Sequence, residues 1–253
     1  MNIGDLKHLQ RLDLSDNPLG INDSTGLNFL TSLTNCTNMR ILRLNANNHG
    51  GALPDSVANL STKLTSLRLE KNYISGGIPD NLENLINLEN LAMSQNMLTG
   101  HIPEFIGKLT KLQGLYLSGN NFIGEIPPSI GNISLLSVLE MQGNMLDGII
   151  PVSLGNCRRL QALDLSQNRL TGTIPEELMD LFSLTLSLSL AHNSITGPLP
   201  IEVGNLINLG RLDVSDNRLS GELPPSLGSC EVLEFLSLQV TFLKVQFHHH
   251  WKN

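Results

Sequence analysis

Carboxylates and histidines are the side chains of this 253-residue chain with the most obvious chemical potential. Two carboxylates held close together can act as general acid and general base, but one of them needs a shifted pKa. Asp213 and Asp216 are close in sequence, yet no apolar surroundings are evident beside them. Four scattered histidines lack a neighbouring acid or nucleophile: His8, His49, His101 and His192. We therefore expect no catalytic residues and no cofactor.

Three consecutive histidines, His248 to His250, could in principle bind a metal ion. Zinc sites need ligands held in a fixed tetrahedral geometry, usually with partners that orient each ligand. The tail around these histidines contains no such partners, so no metal site is predicted.

Nine asparagines recur at a nearly constant interval, and they organise the whole chain. They are separated by 24 or 25 residues, and once by 30, and each follows a block of the type L-x-x-L-x-L. The nine are Asn17, Asn47, Asn72, Asn96, Asn120, Asn144, Asn168, Asn193 and Asn217. A period of about 20 to 30 residues with this sequence motif is the signature of a leucine-rich repeat.

One repeat, residues 109–132, shows what each unit must do. Leu115 and Leu117 are expected to point inward from a short strand, because side chains alternate across a strand. The amide of Asn120 can then satisfy backbone groups of its own coil and of the neighbouring coil. Gly124 and Pro127 turn the chain onto the back face, where a short helical turn is expected.

A single repeat cannot bury its leucines, so neighbouring repeats must stack. Ten L-x-L pairs occur, from Leu12/Leu14 to Leu236/Leu238. We predict an α/β fold, a curved leucine-rich-repeat solenoid with a parallel sheet on its concave face and short helical turns and loops on its convex face. The array of about ten repeats is expected to cover residues 1–239, with a divergent tail at 240–253.

The three cysteines are predicted to be buried and unpaired. Cys36, Cys157 and Cys230 occupy the same inward position of different repeats. Cys157 and Cys230 lie three repeats apart, roughly 14 Å at the spacing of strands, which is too far for a disulfide.

Composition and glycosylation motifs limit the possible partners and the cellular location of the parent protein. The net charge of −7 argues against nucleic acid as a partner, and no long apolar run is present that would insert into a membrane. The first residues also contain no signal peptide. Four N-x-[ST] motifs favour a secreted parent protein, although the repeat itself places asparagine at three of them. The candidate glycosylation sites are Asn22, Asn35, Asn59 and Asn132.

The phrase N-x-L-x-G-x-I-P-x-x-[LI]-G-N-L, at 96–109 and again at 193–206, resembles the plant-specific class of leucine-rich repeats. Over about residues 1–239 the chain is similar to the extracellular domain of a plant receptor-like Ser/Thr kinase. The resemblance is to the group with the flagellin receptor and the rice blight-resistance receptors.

This resemblance implies a parent protein at the plasma membrane with its repeats outside the cell, acting in defence or developmental signalling. It implies a peptide or protein ligand and a co-receptor as partners. It also implies cysteine-paired caps, a membrane helix and a kinase, which are not recognisable here, so an ectodomain fragment is expected. Two alternatives stay open: a secreted inhibitor similar to polygalacturonase-inhibiting proteins, and an inactive truncated gene product.

Binding is expected on the outward strand positions, because the repeat makes no structural demand on them. Basic residues are concentrated in the early repeats and acidic residues in the late ones, with Tyr116 at the junction and its ring accessible. We hypothesise that an extended peptide lies along this face, acidic part first. The candidate contact residues are Arg43, Arg68, Lys71, Tyr116, Glu140, Asp164, Asp213 and Asp216.

Overall fold

One strand from each repeat joins a single ten-stranded parallel sheet. In the computed structural model, which describes residues 3–20 and 25–244, the strands pair in chain order. Their central leucines are in register, as Leu115 is with Leu91 and Leu139. The strands are Arg11–Asp13, Ile41–Arg43, Ser66–Arg68, Asn90–Ala92, Gly114–Tyr116, Val138–Glu140, Ala162–Asp164, Ser187–Ser189, Arg211–Asp213 and Phe235–Ser237. The predicted solenoid is confirmed, and we number the repeats one to ten by these strands.

A second set of short parallel strands follows the asparagines. Five of them form one sheet: Gly50–Ala52, Tyr73–Gly76, Met97–Gly100, Asn121–Glu125 and Met145–Asp147. Three more form another: Thr196–Gly197, Arg218–Glu222 and Phe242–Lys244. Sequence reasoning expected only a turn here. The segment pairs because Leu98 and its equivalents point inward and leave the backbone extended beside the next repeat.

The back of each repeat is a short helical turn, as predicted. Each 3-10 segment after the first follows an extended proline whose carbonyl accepts the first helical hydrogen bond, as Pro103 does from Ile106 at 3.1 Å. The 3-10 segments are Ile3–Asp5, Asp55–Asn59, Asp80–Asn84, Glu104–Lys108, Pro128–Asn132, Val152–Asn156, Ile201–Asn205 and Pro225–Ser229, and the α-helical turns are Leu30–Leu33 and Glu176–Met179.

The recurring asparagines join successive coils, which confirms their predicted role. The Asn120 amide nitrogen donates to the carbonyls of Leu117 (3.1 Å) and Ser118 (3.3 Å) in its own coil. It also donates to Met93 of the preceding repeat at 3.0 Å, and its oxygen accepts the Leu98 N–H at 3.0 Å. A buried amide that satisfies four backbone groups stabilises both coils at once.

The cysteines lie in the core among the leucines. Cys36, Cys157 and Cys230 are buried and unpaired, which confirms the predicted placement. Burial raises the pKa of Cys157 to about 11, so its thiol stays protonated at neutral pH.

The tenth repeat departs from the pattern but continues the stack. Thr241 stands where other repeats have asparagine, and its hydroxyl donates to the Leu238 carbonyl at 2.8 Å. Phe242–Lys244 still pairs with Arg218–Glu222, so the repeat geometry runs past residue 239. Residues 245–253, including the three histidines, lie outside the described residues.

Candidate ligand-binding surface

The sheet register places the predicted contact residues in one row across the concave face. The central outward positions are paired from strand to strand: Arg43 with Arg68, Tyr116 with Glu140, and Glu140 with Asp164. Asp213 lies farther along the same row, two strands beyond Asp164. Lys71 and Asp216 follow their strands, each with a positive φ at the turn into the asparagine.

Five of these residues surround a shared depression of about 580 Å³. They are Arg43, Arg68, Lys71, Tyr116 and Glu140. The depression spans repeats two to six, and we call it the concave depression. Asp164, Asp213 and Asp216 do not line it, so the structure separates the predicted set into a clustered part and a distant acidic part.

Ion pairs within the face neutralise part of the basic charge. Arg68 donates through Nε (3.0 Å) and Nη2 (2.8 Å) to Glu70 Oε1. Arg43 Nη1 lies 3.5 Å from Asp13 Oδ2. The Ser15 hydroxyl and then Arg11 hold the pKa of Asp13 far below its usual range. Arg43 and Arg68 therefore each have an acidic partner in the protein, whereas Lys71 is the exposed cation of this group.

Tyr116 is less accessible than the sequence suggested. Gly114 was expected to leave the ring free, but the ring instead lies over Gly114 and both residues lose solvent contact. Burial, followed by the nearby Glu140 carboxylate, raises the pKa of the Tyr116 phenol. Half-burial presents one ring face to a ligand at little entropic cost, since the ring is already held in place.

Glu140 is the acidic group of the depression that has no cation of the described residues close enough to balance its charge. Burial and then the Asp164 carboxylate raise its pKa. Across the described residues, no lysine, arginine or histidine lies within ion-pair distance of Glu140 or Asp164. A cationic group arriving from a ligand would relieve the repulsion between these two carboxylates.

The distant acidic residues are already engaged. Asp164 accepts hydrogen bonds from the Ser166 N–H (3.0 Å) and hydroxyl (2.6 Å). Asp213 pairs with Arg211 at 3.2 Å, and Asp216 lies 3.4 Å from Nδ1 of His192. Of these three residues only Asp213 has a permanent cation as its partner in the described structure, so the free acidic charge of this end lies on Asp164 and Asp216.

Glu70 and Gln142 are among the polar residues of the depression that sequence reasoning missed. Glu70 Oε2 and Gln142 Oε1 are buried without a hydrogen-bond partner in the described structure, as is Nε of Arg43. A signal existed, because Glu70 and Gln142 occupy a repeat position that is serine in five other repeats, at Ser15, Ser94, Ser118, Ser166 and Ser215. Unsatisfied buried polar atoms on a binding face are poised to accept or donate bonds to a ligand.

Three candidate glycosylation sites are placed on the convex side. Asn35, Asn59 and Asn132 are exposed near the ends of helical turns, and Asn22 lies outside the described residues. The Ser61 hydroxyl of the Asn59 motif is buried and donates to the Thr37 carbonyl at 2.8 Å. Glycosylation at these three positions stays a prediction.

Within residues 3–20 and 25–244, no group of three or more His, Cys, Asp or Glu side chains could hold a metal ion. No helix of that same part has the length and hydrophobicity that crossing a bilayer requires.

Three sequence profiles described as leucine-rich repeats match six segments of the chain. The first covers 62–122, the second covers 135–157, 159–181, 186–206 and 208–230, and the third covers 5–21. The chain belongs to the leucine-rich-repeat family. Together the matched segments exceed half of its length.

Plant receptor kinases are similar to it in sequence. A probable leucine-rich-repeat receptor-like serine/threonine-protein kinase of Arabidopsis thaliana is 60% identical over 88 residues, 35% of this chain and 9% of the relative. The receptor kinase-like protein Xa21 of Oryza sativa subsp. japonica is 39% identical over 88 residues, 35% of this chain and 8% of the relative. The matched segments thus span less than a tenth of these relatives.

Solved plant receptor structures are similar over nearly the whole chain. The plant peptide hormone receptor RGFR1, in complex with RGF2, matches with a TM-score of 0.85 and 34% identity, covering 95% of this chain and 37% of that one. The Arabidopsis receptor kinase HAESA, in complex with the peptide hormone IDA and the co-receptor SERK1, matches with a TM-score of 0.81 and 32% identity. That match covers 96% of this chain and 39% of HAESA.

Proposed function

We propose that this chain is a non-catalytic ligand-recognition module from the extracellular part of a plant receptor-like Ser/Thr kinase. Its ligand is an extended peptide or a protein segment bound on the concave face, and its parent acts at the plasma membrane in defence or developmental signalling. A co-receptor is a further partner of the parent.

The observation that carries this proposal is the concave depression. A depression with a fixed aromatic ring, cations on one side and an uncompensated carboxylate on the other suits a ligand that carries both charges. The strands run side by side, so a ligand laid across them meets one repeat after another. The structures of RGFR1 and HAESA with peptide hormones support a peptide as the class of ligand.

The ion pairs refine the expected orientation. An acidic group of the peptide faces Lys71 and Arg43 in repeats two and three, because Lys71 is exposed and Arg43 has an unsatisfied Nε. A basic group faces Glu140 and Asp164 in repeats six and seven, where the protein supplies no nearby cation of its own in the described residues. The ring of Tyr116 lies between these two charged regions and contacts the middle of the peptide.

A random peptide library selected on the immobilised chain tests this proposal. We expect enriched peptides to carry acidic residues toward one end and basic residues toward the other. Arg43→Glu combined with Lys71→Glu should weaken their binding by about tenfold or more, which corresponds to roughly 1.4 kcal/mol. Glu140→Lys should do the same by opposing the basic end.

The matched control is Lys63→Glu, which reverses an exposed cation held by Asn38 at 2.7 Å and absent from the concave depression. This variant should bind the enriched peptides as the parent chain does. Equal affinities for the parent chain and the Arg43→Glu/Lys71→Glu variant would exclude the concave depression as the binding site.

A further inference from the structure

Two outward positions beside the proline turn are both apolar in repeats six and eight. The residue before [IL]-P is, in order, Ala52, Gly77, His101, Glu125, Ile149, Thr173, Pro198 and Glu222. The first residue after the proline is, in order, Asp55, Asp80, Glu104, Pro128, Val152, Glu176, Ile201 and Pro225. Because other repeats hold charged residues at these positions, the fold does not require apolar side chains there.

The structure aligns these side chains into a continuous row. The side chain before [IL]-P lies over a glycine of the next repeat. A Cβ added at Gly172 would lie 2.8 Å from Ile149 Cγ2, and one added at Gly197 would lie 2.9 Å from Thr173 Cγ2. Because these glycines have no side chains, the side chain of the preceding repeat can lie against their backbone. Ile149 and Thr173 thus pack against the backbone of the neighbouring repeat.

The row borders a broad depression of about 920 Å³ on the side of the solenoid. Ile149, Val152 and Ile201 line it and remain 58%, 56% and 65% exposed. We call Ile149, Val152, Thr173, Pro198 and Ile201 the lateral apolar patch. An apolar patch that a stable fold does not need commonly marks a surface for another protein.

Acidic residues surround the lateral apolar patch. Glu176, Glu177, Glu202 and Glu222 line the same depression, and no lysine or arginine is among its lining residues in the described structure. A complementary partner therefore carries positive charge around an apolar centre. A second copy of this chain fits poorly, because each copy has a net charge of −7.

We propose that the lateral apolar patch docks a protein partner whose apolar side chains are ringed by lysine or arginine. This surface shares no lining residue with the concave depression, so a ligand and this partner can bind at the same time. The patch adds an independent protein-binding site to the peptide site.

Two labelled amphipathic helical peptides of equal length test the proposal by fluorescence anisotropy, one built from leucine and lysine and one from leucine and glutamate. The leucine–lysine peptide should bind the full chain, and the leucine–glutamate peptide should not. Ile149→Ser/Ile201→Ser should weaken binding about tenfold, and Glu176→Lys/Glu177→Lys should weaken it further. Binding of both peptides alike would overturn the proposed chemistry.

The matched control is Ile86→Ser/Ile207→Ser, which changes two isoleucines that are 57% and 51% exposed but lie outside the patch. This variant should bind as the parent chain does, and so should Glu140→Gln in the concave depression. If either control loses as much affinity as Ile149→Ser/Ile201→Ser, the patch is not the site. Sedimentation equilibrium completes the test by measuring whether the parent chain forms a dimer. A dimer that is lost in Ile149→Ser/Ile201→Ser would identify a second copy as the occupant of the patch and overturn the proposal.

Discussion

The ring of Tyr116 lies directly over Gly114, two residues earlier on the same strand. A Cβ added at Gly114 would lie 2.5 Å from Cε2 of the ring and 2.8 Å from its hydroxyl oxygen. The missing side chain thus creates the seat for the aromatic residue at the centre of the concave depression.

Gly114→Ala should lift this ring into solvent. Burial is the main cause of the raised pKa of Tyr116, so the pKa should fall toward the ordinary value for tyrosine. Spectrophotometric titration in a Tyr73→Phe background isolates this phenol, because the chain has two tyrosines. Ser66→Ala, on the same face, is the control and should leave the titration unchanged. An unaltered pKa of Tyr116 in Gly114→Ala would contradict the claim that packing on Gly114 buries the ring.

Asn120→Ala should destabilise the solenoid far more than Asn17→Ala. Removing the Asn120 amide leaves the buried Leu98 N–H without its partner and breaks the link to Met93 of the preceding repeat, at a cost of about 2 kcal/mol. Asn17 is exposed and donates to Leu14 and Ser15 of its own coil, so its loss should cost less than about 1 kcal/mol. Urea denaturation measures both, and similar midpoints for the two variants would contradict the role of the asparagine in joining coils.

Gly131→Ala and Gly228→Ala change the same repeat position with opposite expected results. A Cβ at Gly131 would run into the Ser153 carbonyl oxygen of the next repeat, and this backbone atom cannot swing aside. We expect a loss of about 2 kcal/mol from such overpacking. Among residues 3–20 and 25–244, no atom lies within 4 Å of a Cβ added at Gly228, so Gly228→Ala should change stability by less than about 0.5 kcal/mol. Thermal denaturation of both variants measures the difference. A Gly228→Ala variant destabilised as much as Gly131→Ala would contradict the clash with Ser153 as the cause.

His49 makes the stability of the second repeat depend on pH. It is 4% exposed at an inward position that is Ile74, Leu98 or Phe122 in the following repeats, and it packs on Phe29 with 5.5 Å between ring centroids. Burial lowers its pKa, and the Gly26 backbone offsets only part of this effect. Its folded pKa is thus below the unfolded value of 6.5, so the chain should lose stability as pH falls through 6.5.

His49→Leu should remove that loss and raise the free energy of unfolding at neutral pH by about 1 kcal/mol, because an apolar side chain suits the position. Denaturation curves at several pH values between neutral and mildly acidic give both effects. His101→Leu is the control, since His101 is exposed and its replacement should leave the pH dependence in place. A His49→Leu variant with the parent's pH dependence would rule out this histidine as its source.

The sequence by itself determined which residues would share a row. In a parallel stack with a fixed period, a residue lies beside its equivalent one repeat later, so the alignment of Arg43, Arg68, Tyr116 and Glu140 followed from counting. The same reasoning placed Cys157 inside and gave the Asn120 amide its hydrogen bonds, because each is dictated by the needs of one repeated backbone.

Only the tertiary structure decided how side chains use the space within and between rows. The Arg68–Glu70 pair, the ring of Tyr116 on Gly114 and the packing of Ile149 over Gly172 depend on rotamers and on gaps left by small neighbours. Those contacts are set by distances of a few ångströms that a repeat pattern does not encode. The repeat pattern therefore located the concave face. Only the three-dimensional packing showed which charges on that face are unpaired and which side chains form the lateral apolar patch.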